Sequence, residues 1–157
     1  MPGYCENARQ RFKHDIPKKR QDQPYPHIER KYGAKQQFAE PEDSSPLLSP
    51  EDKTMVQEVI GVFLYYARAV NCTMLPALGS LASQQAKPTD KTMVLVKKFL
   101  DYATSNPEAT ITYRASNMVL AAHSNASYLS EAKARSRAGG HFFLSENIPY
   151  PNKSRHL

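Results

Sequence analysis

The sequence predicts an α+β protein in which three helices precede a short antiparallel β-sheet, behind a disordered N-terminal tail. Three observations carry that expectation. Apolar residues recur at three- and four-residue spacing from Met55 to Val70, and again in two later stretches that end near Asn106. Beyond Pro107 the period shortens to the alternation of a strand, and β-branched and aromatic residues take over. Seven of the twelve prolines lie at or before Pro50, where few apolar residues are grouped, so the folded part is expected to begin near Ser49. The expected division is a Pro-rich basic tail or linker over 1–48, a helical region over 49–106 and a β portion over 107–157.

Ser49-Pro50-Glu51-Asp52 has the marks of a helix start: a hydroxyl to cap, a proline at the first helical position and acids facing the positive end of the macrodipole. Met55, Val56, Val59, Ile60, Phe63, Tyr66, Ala67 and Val70 then lie on one face. Asn71-Cys72-Thr73 breaks the pattern. Pro76 sits where a new first turn accepts it, and Leu75, Leu78, Leu81 and Ala82 form the face of a second, shorter helix. Pro88-Thr89-Asp90 repeats the capping logic, and Met93, Val96, Leu100 and Ala103 mark a third helix that ends near Asn106-Pro107. Thr110-Ile111-Thr112-Tyr113 reads as a strand, and Arg114-Ala115-Ser116-Asn117 as a turn. Met118 to Ser124 is apolar enough for a central strand, and Gly139-Gly140-His141-Phe142-Phe143-Leu144 is a third strand whose glycines permit close backbone approach.

A chain of 157 residues with 40% apolar residues is long enough for one ordinary domain. Cys5 and Cys72 have no second Cys or His at zinc-ligand spacing, so neither a metal site nor a disulfide framework is expected. The N-terminus reaches charged residues without an apolar signal core, and no run approaches the ~18 apolar residues of a spanning helix. An intracellular protein, cytoplasmic or nuclear and without a membrane partner, is the expectation. The net charge is +6, and Arg9, Arg11, Lys13, Lys18, Lys19 and Arg20 are set against the single acid Asp15. Such a cluster can neutralise phosphates in a salt-sensitive, sequence-independent way.

Several segments together resemble the Pol polyprotein of a copia-type LTR retrotransposon. They are Pro24-Tyr25-Pro26, Tyr32-Gly33-Ala34-Lys35-Gln36-Gln37-Phe38-Ala39, Phe63-Leu64-Tyr65-Tyr66-Ala67-Arg68-Ala69-Val70, Thr92-Met93 with Phe99-Leu100-Asp101-Tyr102-Ala103, and the run from His123 to Leu144. The resemblance implies that the helices are the connection region downstream of a reverse transcriptase, and that the strands open a truncated RNase H-like domain. It places the first strand over Met118–Ser127 and the second over Arg137–Leu144. Asn125 then occupies the position of the family's first metal-binding aspartate.

That family uses Mg2+ held by acidic residues. A neutral amide oxygen cannot supply the charge that holds two divalent ions. Glu131 and Glu146 are the remaining nearby acids, and both read as surface residues. The expectation is therefore no enzyme activity, no cofactor and no catalytic residue, in a degenerate remnant that keeps weak affinity for RNA or an RNA·DNA hybrid. Lys133, Arg135 and Arg137 between the two strands, with Lys18, Lys19 and Arg20 in the basic cluster, are the expected contacts. His123 and His141 read as ordinary strand histidines, and Ser124, Ser127 and Ser130 match no nucleophile motif. Two alternatives stand beside this reading: a small basic module that binds RNA or hybrid without enzyme activity, and a piece of a longer, active polyprotein. A sheet ending early should leave an edge and the face around Phe142 and Leu144 open, with dye binding or self-association as the result.

Overall fold

Ser49 opens the longest helix as the spacing predicts, its side-chain oxygen accepting the backbone N–H of Asp52. A computed structural model of the protein describes residues 1–26, 43–112, 114–128 and 136–146. Its elements are α1 (Tyr4–Arg11), α2 (Pro50–Ala69), a 3-10 turn at Cys72–Met74, α3 (Leu75–Gln84), α4 (Asp90–Ser105), β1 (Val119–Ala126) and β2 (Ala138–Ser145). The chain divides into two units, Met1–Glu29 with Asp43–Ile111, and Arg30–Glu42 with Thr112–Leu157.

The first unit is helical. Val56, Val59, Ile60, Phe63, Tyr66 and Ala67 of α2 are buried against Ala77, Leu78 and Leu81 of α3 and Val96, Phe99, Leu100 and Ala103 of α4. Phe63 and Phe99 meet edge to face at 5.1 Å between ring centroids, the arrangement the ring quadrupoles prefer. At the head of α4, Thr89 and Thr92 form a reciprocal capping box: each backbone N–H donates to the other's side-chain oxygen. The Thr89 hydroxyl donates to Asp43, and that of Thr92 donates to Gln84 at 3.1 Å, so this nearly buried cluster is internally satisfied. The backbone of Pro46 and Leu48 adds hydrogen bonds to Asp90 and Pro88.

Among the described residues the α-helices number four, where the sequence predicted three, and the expected disordered tail is corrected over residues 1–26. Tyr4–Arg11 is helical, and Cys5 and Ala8 on one of its faces belong to the core. The Tyr4 ring stacks on Tyr66 at 5.0 Å and its hydroxyl donates to the carbonyl of Val62. His14 Nε2 lies 2.8 Å from Asp101 Oδ1, Phe12 and Tyr25 pack on the core, and Ser80 donates to the Tyr25 hydroxyl. Burial of apolar and aromatic groups outweighs the prolines and charges that mark this segment as a tail.

The second unit, in its described residues, is an antiparallel hairpin whose register pairs Leu120 with Leu144, His123 with His141 and Asn125 with Gly139. Both strands fall within a residue or two of the expected spans. Thr110–Thr112 forms no strand, and Tyr113 lies outside the described residues, so among the described residues the sheet has two strands. The expectation that Met118–Ser124 is a central strand is likewise corrected: among the described residues it pairs with β2 alone, and every residue of β1 is exposed except the half-buried Ala121. Alternation of side chains about a ladder of only two strands leaves both faces open among these residues.

Candidate nucleic-acid interface

Side chains alternate along the hairpin, so Val119, Ala121, His123 and Asn125 share one face with Gly139, His141, Phe143 and Ser145. The other face carries Leu120, Ala122, Ser124 and Ala126 with Ala138, Gly140, Phe142 and Leu144. The Phe142 ring lies over Gly140, where an added Cβ would come within 3.1 Å of it. A side chain at 140 would make the exposed Phe142 ring give way by a few tenths of an ångström.

On the first face, the His123 ring meets the edge of Phe143 at 5.3 Å and an interplanar angle of 80°, while the His141 ring lies at 5.2 Å and 29°. Two residues further along, Asn125 faces Gly139, which brings no side chain, and its Oδ1 accepts the backbone N–H of Ala126 at 2.8 Å. A concavity of about 450 Å3 spreads over this end of the hairpin, lined by His123, Asn125, Ser127, Arg137 and His141 among others. Ser127 closes it: its backbone N–H donates to the Arg137 carbonyl at 2.7 Å, and the Arg137 backbone N–H donates to the Ser127 hydroxyl at 3.0 Å. Among the described residues lining the concavity, none is Asp or Glu.

The described donor set does not fit the Mg2+ ions of the retroelement RNase H pattern. Magnesium binds hard, anionic oxygens, whereas the groups here are imidazoles, hydroxyls, one amide oxygen already used by Ala126 and one guanidinium. The described groups are hydrogen-bond donors and one cation, the chemistry that phosphate oxygens accept from.

The predicted contact residues are not all brought together. Arg137 lines the concavity; Lys133, Arg135 and Glu131 lie outside the described residues. Lys18, Lys19 and Arg20 belong to the helical unit, where Lys18 and Lys19 are exposed. Arg20 donates to Asp22 at 3.0 Å and to the Asn106 side chain at 2.9 Å, beside the C-terminal end of α4, where a cation meets the negative end of the dipole. Gln21 is tied to the same end through Ser105 and Asn106.

The facing of His123 and His141 escaped the sequence reading because register is a long-range property, fixed here across the residues that join the strands. Their odd positions in two alternating runs, each two residues from a site residue or a glycine, were the available signal. No family model, curated protein or solved structure matches this chain. Among the described residues, no helix is long and apolar enough to cross a membrane.

Proposed function

We propose that this chain is a noncatalytic piece of a copia-type retrotransposon Pol polyprotein, an RNase H-like remnant with its connection helices that contacts RNA or RNA·DNA hybrid backbones weakly. The observation that carries the reading is the position of Asn125. It stands one residue from the end of β1, opposite Gly139, in a concavity whose described lining includes Arg137 and two imidazoles. A neutral amide at this position supports loss of metal-ion chemistry, and a guanidinium beside it supports contact with phosphate. The ordered segments from Pro24 to Leu144, quoted above, support the family reading.

The helical unit supplies a second cationic surface at Lys18 and Lys19, held in place by the ties of Arg20 and Gln21 to α4. Contacts of this kind are electrostatic and read no base sequence. Incubation with a labelled RNA·DNA hybrid in magnesium or manganese is expected to leave the RNA strand intact, with Asn125→Asp equally silent because one carboxylate does not assemble a two-ion centre. Metal-dependent cutting that Asn125→Ala abolishes overturns the noncatalytic reading. Filter binding to the same hybrid is expected to weaken steeply with added salt; no retention even at low salt overturns the binding half.

A further inference from the structure

We propose that His123 and His141 form a cross-strand, two-imidazole site for a late first-row divalent cation, with zinc as the probe. This goes beyond the nucleic-acid reading and does not depend on it. The two residues are direct partners in the antiparallel register, a placement that sets Cβ atoms ~4.5–5.5 Å apart on one face. Both rings rest against the same Phe143 ring, at 5.3 and 5.2 Å between centroids. A ring shared as a backstop lowers the rotamer entropy that a metal would otherwise have to remove.

Coordination chemistry selects the cation. Two neutral imidazoles suit zinc, nickel and copper, with copper the tightest in the Irving–Williams order, whereas magnesium and calcium require oxygen ligands. The remaining positions of a four-coordinate ion fall to water, for which exposure and the missing side chain at Gly139 leave room. Arg137 lines the same concavity, and its charge opposes the cation; water and salt screen that repulsion at so open a position. His14 already faces Asp101 in the helical unit, so the reading must be made on the two hairpin rings themselves.

The experiment is a zinc titration of the full chain followed by the assigned imidazole ring signals in NMR. Signals of His123 and His141 are expected to move together with one half-saturation point, and magnesium at equal concentration to move neither. In His123→Ala, the zinc-dependent shift of His141 is expected to vanish. Rings that stay still, that saturate separately, or that respond equally to magnesium overturn the site, as does survival of the His141 shift in His123→Ala. The wild-type titration stands whatever that variant does to the hairpin.

Discussion

His14 Nε2 lies 2.8 Å from Asp101 Oδ1, a contact that pins residues just beyond α1 to the C-terminal part of α4. Both side chains are largely shielded, so the bond is sheltered from competing water. His14→Ala and Asp101→Ala are each expected to lower stability by about 0.5–1.5 kcal/mol, the usual net worth of such a bond. Urea unfolding followed by helix signal checks it. The double variant should cost less than the sum of the singles, because the two act through one contact.

Acid should weaken the helical unit by a definable route. The Arg9 guanidinium and the Gln10 amide hold the Glu6 carboxyl down at about 2, and the hydroxyl of Thr89 with Ser45 holds Asp43 at about 2. In the unfolded chain these groups take up protons near their ordinary values of 4.5 and 3.8. Their stabilisation is therefore complete above those values and lost as pH falls toward about 2. Burial pushes the Tyr66 hydroxyl up to about 12 from 10.0, so its contribution is present below 10.0 and is lost as pH rises toward about 12. Urea midpoints measured against pH should fall at both ends, and Glu6→Gln with Asp43→Asn should flatten the acid limb.

How legible was this fold in its sequence? The three helices of residues 50–105 were, since Ser49 and Thr89 cap as their side-chain chemistry dictates and the apolar stripes are the buried ones. Helix α1 was obscured by composition. Its cap, Gly3, lies at φ 71 and offers no side chain, and charged residues surround its two core positions. The spacing of Tyr4, Cys5, Ala8 and Phe12, with the Glu6–Arg9 pair one turn apart, was the faint trace it left. Thr110–Thr112 has strand composition without a ladder partner, a reminder that β preference reports packing opportunity. Of the candidate site, Asn125 and Arg137 could be placed along the chain, but which residues face them across the ladder could not.

Salt dependence separates the cationic residues. If Arg137 meets a phosphate, Arg137→Ala should weaken hybrid binding across sequences and reduce the slope of log affinity against log salt by about 1. Lys18→Ala and Lys19→Ala should act alike. Arg20→Ala should leave binding less changed and instead loosen the contact with Asn106 at the end of α4, a surface interaction worth about 0–1 kcal/mol. Filter binding and urea unfolding on the same variants measure the two effects.

The second hairpin face should be sticky. Leu120 is 68% exposed, Phe142 66% and Leu144 52%, grouped by the register on one side of two strands. A hydrophobic dye is expected to brighten on the full chain, and Leu120→Ser with Phe142→Ser is expected to remove most of that signal. Sedimentation over a concentration series should show the same pair of substitutions reducing self-association.

Cys5 is sealed between α1 and the core with its thiol pushed up by burial, while Cys72 stands in solvent. A maleimide or other thiol-capturing reagent should consequently label position 72 at once and wait for position 5. The waiting time is a clock, ticking whenever the amino-terminal helix lifts away, and it lets a mass spectrometer count that event without adding a single probe to the polypeptide.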